Sequence, residues 1–111
     1  MRRISMANNF KLIYKILSIL EKAMEYEEFD KSSISHEALN IPYPLWCRIM
    51  KMLDDNDYIE GVQVWQPMEL SYPKVALIKP QITLKGLEYL EENSLMQKAK
   101  NLAKGTIDII K

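Results

Sequence analysis

The sequence predicts a mostly helical α+β fold with one β-hairpin, and three observations lead to this prediction. Apolar residues recur at helical spacing over residues 8–26, 44–53 and 84–109. β-branched residues alternate between positions 58 and 78, and two prolines interrupt them in the middle, as in a hairpin with a long loop. The length of 111 residues and the hydrophobic content of 48% suit a single domain with its own core.

The first helix is expected from Asn8 to Tyr26. Lysines and other polar residues recur along one side of this segment. The apolar stripe on the opposite side consists of Phe10, Ile13, Tyr14, Leu17, Leu20 and Met24. Leu12, Ile16 and Ile19 widen this stripe, so the helix is expected to pack on two sides and to lie at the centre of the domain.

The second and third helices are predicted from residues at their ends. Ser35 is a suitable N-cap for a short helix from His36 to Leu39, and Asn40 can adopt the left-handed conformation that ends it. Pro44 suits the first turn of a third helix, because proline has no N–H to donate and its φ angle is already helical.

The third helix has two predicted faces. Its buried stripe consists of Trp46, Ile49, Met50 and Leu53. Its outer face consists of Leu45, Cys47, Arg48, Lys51, Met52 and Asp55. The helical spacing of Trp46 and Ile49 favours a core position for the indole over a ligand-stacking role. Cys47 is interpreted as an unreactive thiol on the outer face.

A hairpin and two further helices complete the prediction. Four short polar residues at 54–57 end the third helix, strands follow, and the hairpin tip runs from Gln66 to Pro73. Thr83 is a suitable N-cap for a helix from Leu84 to Glu92, with core positions at Leu84, Leu87 and Leu90.

A break is expected after this helix. Asn93 is predicted to end it, and Ser94 to open a last helix that runs toward Lys111. The chain is therefore divided into an N-terminal extension (1–7), a main domain (8–93) and a C-terminal helix (94–111).

The predicted order of helix, short helix, helix, hairpin and helix is that of a winged helix-turn-helix, in which the hairpin is the wing. Two segments match sequence motifs that are common in this superfamily. Leu53-Asp54-Asp55-Asn56-Asp57-Tyr58-Ile59 is similar to the Leu-x-x-x-Gly-(Leu/Tyr)-Ile junction between recognition helix and wing, with Asp57 in place of glycine. Ile82-Thr83-Leu84-Lys85-Gly86-Leu87-Glu88-Tyr89-Leu90 is similar to the Leu-Thr-x-x-Gly-x-x-x-Leu segment that follows the wing.

From Met6 to the C terminus, and most specifically over Ile82 to Ser94, the chain resembles the YjcQ family of small winged-helix proteins from Gram-positive bacteria and their prophages. The resemblance implies a winged-helix fold with an extra C-terminal helix. It carries over no catalytic or ligand-binding residues, so the function has to be argued from the residues themselves.

Composition argues against an enzyme and against a metal site or cofactor. Cys47 and His36 are the only soft metal ligands, and a structural zinc site usually needs four ligands. The three glycines form no phosphate-binding loop, and no catalytic motif is present. The chain has no apolar run of about 18 residues and no signal-peptide pattern at its start, so a cytoplasmic location is expected.

Two functions are compatible with the predicted fold. In the first, the protein is a DNA-binding regulator or phage accessory factor. Arg48 is then expected to read guanine and Lys51 to contact phosphate, while Lys74 and Lys79 of the hairpin add backbone contacts. In the second, the fold serves as a protein-protein interaction module. The balance of 15 cationic and 15 acidic residues favours this alternative, because DNA-binding domains are usually basic.

The last helix predicts a homodimer. Its apolar seam consists of Leu95, Ala99, Leu102, Thr106 and Ile109. Dimerisation through the seam would double the number of cations presented to DNA. The alternative is that the seam packs against the chain's own first helix.

Overall fold

The computed structural model describes the backbone of residues 6–103 and the side chains of residues 9–94. The elements in chain order are helix α1 (Met6–Ala23), a 3-10 turn (Lys31–Ile34), helix α2 (His36–Leu39), helix α3 (Tyr43–Asp55), strands β1 (Ile59–Trp65) and β2 (Lys74–Ile82), and helix α4 (Leu84–Ala103). This order confirms the predicted α+β winged helix-turn-helix.

Helix α1 supplies the centre of the core. Ile16, Leu17 and Leu20 are fully buried, and the helix contacts α3, α4, β2 and the 3-10 turn, as its two-sided apolar surface predicts. The ends of the predicted stripe differ. Phe10 is half exposed, and the prediction that Met24 belongs to the core is wrong, because α1 ends at Ala23 and Met24 lies in the exposed turn beyond it.

The caps of α2 form as predicted. The Ser35 hydroxyl accepts a hydrogen bond from the Ala38 amide at 3.1 Å, and Asn40 adopts the left-handed conformation with φ of 57°. The 3-10 turn before α2 has a cap of its own. Asp30 accepts hydrogen bonds from the hydroxyl and the amide of Ser32, and both bonds lower the pKa of the carboxyl.

More of the surface of helix α3 is buried than its pattern of polar residues indicated. Trp46, Ile49, Met50 and Leu53 are buried, as predicted. Cys47 is also fully buried, so its predicted position on the outer face is wrong. The reason is that α3 contacts both strands of the hairpin as well as α1.

The end of α3 explains the departure at Asp57 from the superfamily motif. Asp57 has φ of 62°, the left-handed conformation that favours glycine. The Tyr58 amide donates to the Leu53 carbonyl at 2.9 Å, and the Asp57 amide donates to the Asp54 carbonyl at 3.0 Å. These two bonds form a Schellman motif, which usually has glycine at the position of Asp57.

Replacing Asp57 with glycine is expected to stabilise the domain by about 0.5 to 1 kcal/mol, because glycine adopts positive φ without the penalty of a Cβ atom. The change also removes a negative charge that helps to raise the pKa of Asp54. A raised pKa means that folding disfavours the ionised Asp54 carboxylate, so removal of the Asp57 charge adds to the stability near neutral pH. Urea denaturation measures the effect. Asp57→Ala removes the same charge but keeps the Cβ, so it should be less stable than Asp57→Gly; equal stabilities would contradict the backbone explanation.

Strands β1 and β2 form an antiparallel two-stranded sheet, paired from Ile59 opposite Ile82 to Trp65 opposite Lys74. The register shifts between Glu60 and Val62, where Gly61 has φ of 79°. This irregularity is a β-bulge on β2, which advances by four residues, from Gln81 to Leu77, while β1 advances by two.

Helix α4 begins as predicted and then departs from the prediction. The Thr83 hydroxyl accepts from the Gly86 amide at 3.0 Å and donates to the Asp57 carbonyl at 2.6 Å, so the N-cap also ties α4 to the end of α3. A Cβ on Gly86 would lie 2.4 Å from the Tyr58 carbonyl oxygen, which explains the glycine of the motif. Leu84 is exposed rather than buried, because the first turn of α4 packs through Gly86 instead.

The predicted break after Asn93 is wrong, because α4 continues without interruption to Ala103. The Asn93 side-chain amide donates to the Tyr89 carbonyl at 2.9 Å, four residues earlier, and thus bonds back onto the helix. The predicted dimerisation residues Leu95, Ala99 and Leu102 lie on this continuation, but their side chains are outside the described residues, as is the whole of Ile109.

Candidate nucleic-acid interface

The outer face of α3 and the hairpin tip (Gln66–Pro73) form one surface, called here the α3–wing surface. Arg48 on α3 joins the two parts, since its Nη2 donates to the Ser71 carbonyl oxygen at 3.1 Å. The contact spans 23 residues of sequence, and the sequence pattern contained no signal for it. The wing tip is therefore held against the exposed face of α3.

The guanidinium of Arg48 keeps most of its donors. It carries five N–H groups in a planar fork, and the bond to Ser71 uses one side of that fork. The side chain is exposed, as predicted for the outer face of α3. Four of its five N–H groups have no partner within the described residues, so Arg48 can donate two parallel hydrogen bonds to a base while it keeps the contact to Ser71.

Lys51 lies one turn after Arg48 on the same side of α3, because residues three apart are neighbours on a helix. Its ammonium pairs with the carboxylate of Asp55, and about half of each side chain is exposed. An exposed ion pair of this kind contributes at most about 1 kcal/mol, so a phosphate can replace the carboxylate at little cost.

The C-terminal end of α3 is acidic. Burial raises the pKa of Asp54, and the neighbouring carboxylates of Asp55 and Asp57 raise it further, while Lys51 lowers it. This concentration of negative charge disfavours a DNA backbone at that end of the helix. The N-terminal half of α3 carries no acidic residue, and Lys51 is the last cation of the helix before this acidic end.

Lys74 lies at that N-terminal end. Its ammonium is 4.9 Å from the centre of the Tyr43 ring, and hydrogen bonding to the Tyr43 side chain raises the pKa of Lys74. Tyr43 also stacks on Trp46 with ring centres 5.8 Å apart and meets Tyr72 edge-on at 6.0 Å. Tyr43 was not among the predicted site residues. Its position between two prolines, at the start of α3, was the signal that could have indicated it.

Lys79, the fourth predicted contact, lies away from the other three. It follows Lys74 by five residues on β2, which corresponds to roughly 16 Å along a strand. It lines a groove beside the end of α1, next to the bulge at Gly61. The structure therefore places Lys74, Arg48 and Lys51 in this order along α3 and leaves Lys79 in the groove beside the end of α1.

The wing tip is preorganised by a glutamine that sequence reasoning missed. The Nε2 of Gln66 donates to the carbonyl oxygens of Pro67, Leu70 and Tyr72 at 2.9, 2.7 and 3.2 Å. The loop is folded around this amide, and a glutamine before a proline is no recognised signal for such a turn. Met68 at the tip is fully exposed, and residues 66–73 contain one acid and no cation.

Within the part of the chain that the structure describes, no three histidine, cysteine, aspartate or glutamate side chains are placed to hold a metal ion. No helix of residues 6–103 combines the length and apolar character needed to cross a bilayer.

Comparison with known proteins supports the family resemblance that the motifs at both ends of the hairpin indicated. No curated protein and no solved structure matches the chain. The sequence profile of a family described as YjcQ protein matches residues 14–109, which cover the C-terminal half of α1 and every later element. The chain therefore belongs to the YjcQ family.

Proposed function

We propose that this chain is a non-catalytic protein that binds double-stranded DNA through the α3–wing surface, as a transcriptional regulator or a phage accessory factor. The observation that carries the proposal is the bond between Arg48 and the Ser71 carbonyl. It joins the exposed face of α3 to the wing, so a helix in the major groove and a wing beside it would engage DNA as one rigid unit.

Each cation of the surface has a distinct part in this proposal. Arg48 reads a guanine, because its fork can donate to the two acceptors on the major-groove edge. Lys51 exchanges the Asp55 carboxylate for a phosphate, and Lys74 contacts the backbone near the start of α3. Attraction to DNA is weak for a single copy, because the chain has no net charge. We expect a homodimer to compensate, because it presents twice as many cations to DNA.

A second candidate function is binding to another protein through the same surface. It is favoured by the wing tip, where Met68 is fully exposed on a loop whose backbone carbonyls accept hydrogen bonds from Gln66. A backbone held in this way loses less entropy on binding a protein, and a tip without cations offers no charge to phosphate.

Arg48→Ala and Lys51→Ala should weaken DNA binding in different ways. Loss of Arg48 is expected to cost about 1 to 3 kcal/mol on the preferred sequence and much less on random duplexes, so specificity relaxes. Loss of Lys51 should weaken binding to all duplexes alike and reduce the slope of log K against log salt by about one unit. Titration of genomic and random duplexes at several salt concentrations measures both effects.

Lys11→Ala is a matched control, because it removes one exposed cation from α1, outside the α3–wing surface. It should leave the affinity for DNA nearly unchanged. If the wild-type protein binds no duplex even at low salt, DNA binding is excluded and the protein-binding function takes its place. In that case Met68→Ala is the variant expected to weaken capture of the partner.

A further inference from the structure

A groove separate from the α3–wing surface lies between the C-terminal end of α1 and strand β2; it is called here the α1–β2 groove. Its volume is about 680 Å³. Leu20 and Ile82, both buried core residues, line it, so the groove reaches the hydrophobic core. No residue of α3 or of the hairpin tip contributes to its walls.

Three large apolar side chains around this groove are more than half exposed. Met24 is 61% exposed, Tyr26 66% and Ile78 57%. Single exposed apolar residues are ordinary on a protein surface. Three of them lie around one groove, so a single partner seated there would cover all three.

The two banks of the groove carry opposite charges. Glu27 and Glu28 lie on the bank formed by the loop after α1, and Lys79 lies on the bank formed by β2. Lys31 belongs to the β2 bank as well, because its ammonium donates to the Leu77 carbonyl oxygen at 3.1 Å. All four charged residues are exposed, and none of them forms an ion pair within the described residues.

From this pattern we infer that the α1–β2 groove is a docking surface for a second copy of this chain. About a two-fold axis, the acidic bank of one copy faces the basic bank of the other, and the apolar residues between the banks meet their counterparts. A second copy satisfies both banks at once. A partner of a single charge sign would be attracted by one bank and repelled by the other.

The contact is made by side chains and not by pairing of strands. The outer edge of β2 is unpaired, because β1 is its only neighbour in the described sheet. Pro80 on β2 has no N–H, the Leu77 carbonyl is occupied by Lys31, and the register shifts at the bulge. These are the features by which proteins prevent addition of another strand to an edge.

Sedimentation of the full chain across micromolar concentrations at low salt tests the inference. Wild type is expected to sediment as a dimer, with about twice the monomer mass of 13.0 kDa. Ile78→Arg should raise the dissociation constant about thirtyfold or more, because it places a charge at the apolar centre of the interface. Met68→Arg is the matched control: Met68 is also an exposed apolar residue of the hairpin, but it lies at the tip, and its variant should remain dimeric.

Charge reversal provides an independent test that does not depend on the apolar residues. Glu28→Lys and Lys79→Glu should each weaken the dimer about tenfold, because each places like charges face to face twice per two-fold interface. The double variant Glu28→Lys/Lys79→Glu should restore the wild-type dissociation constant.

Three results would overturn the inference. The first is a wild type that remains monomeric at the highest concentration, and the second is a dimer that Ile78→Arg leaves intact. The third is a dimer lost in Leu102→Arg, on the seam of the last helix, but unchanged by both charge reversals. DNA binding enters none of these measurements, so failure of the inference and failure of the proposed function are distinguishable.

Discussion

Replacing Trp46 with alanine is expected to lower the free energy of unfolding by about 3 to 5 kcal/mol. The indole is only 5% exposed, stacks on Tyr43 and donates from Nε1 to the Ile34 carbonyl oxygen at 2.7 Å. The substitution leaves a cavity between the 3-10 turn and α3 and also leaves that carbonyl without its donor. A small domain typically has 5 to 15 kcal/mol of stability, so the variant loses a large part of it.

Urea denaturation followed by circular dichroism measures this loss. Trp46→Phe keeps most of the packing but removes the donor, and it should cost about 1 to 3 kcal/mol. Trp65→Ala is the matched control, because Trp65 is 49% exposed at the end of β1 and its loss should cost less than about 1 kcal/mol. If the two alanine variants are equally stable, the buried face of α3 has been assigned to the wrong side of the helix.

Gly61→Ala is expected to destabilise the domain by about 3 kcal/mol or more, for two reasons that add. The backbone of Gly61 has φ of 79°, which residues with a Cβ rarely adopt. A Cβ at this position would also lie 1.9 Å from the carbonyl oxygen of Lys79 and 2.6 Å from its carbonyl carbon. Both are main-chain atoms, so a rotamer change cannot relieve the overlap, and β2 has to move.

The two causes can be separated with a second variant. Asparagine tolerates positive φ better than alanine does, so Gly61→Asn relieves part of the conformational penalty but keeps the overlap. We expect Gly61→Asn to be nearly as unstable as Gly61→Ala in thermal melts, because the overlap dominates. Gln63→Ala, at an exposed position on the same strand, should change stability by less than about 0.5 kcal/mol. A Gly61→Ala variant as stable as Gln63→Ala would mean that the bulge forms differently.

The sequence by itself determined the features that depend on a few neighbouring residues. Ser35, Asn40 and Thr83 take the cap positions expected of them, because a cap needs only a short polar side chain and the backbone amides two or three residues away. The order of the elements and the buried stripe of Trp46, Ile49 and Leu53 follow from periodicity in the same local way. These features predicted the winged helix and, with the two motifs, the family.

The tertiary structure alone decided which surfaces are covered. The helical pattern of α3 predicts an exposed Cys47, but the residue is buried because the hairpin packs over that side of α3. Asn93 and Ser94 have the chemistry of a helix end and a helix start, yet α4 runs through them. Local propensity contributes less than about 1 kcal/mol per residue, which is too little to end a helix by itself.

For the candidate site too, some features follow from the sequence and others only from the fold. Arg48 and Lys51 were placed on the outer face of α3 by spacing alone, whereas the contact from Arg48 to Ser71 required the folded chain. The separation of Lys79 from that surface, and its position opposite Glu28 across the α1–β2 groove, likewise depend on how β2 passes the end of α1. Contacts between residues distant in sequence leave no periodic or capping signal, because the fold as a whole, and not the neighbouring residues, brings them together.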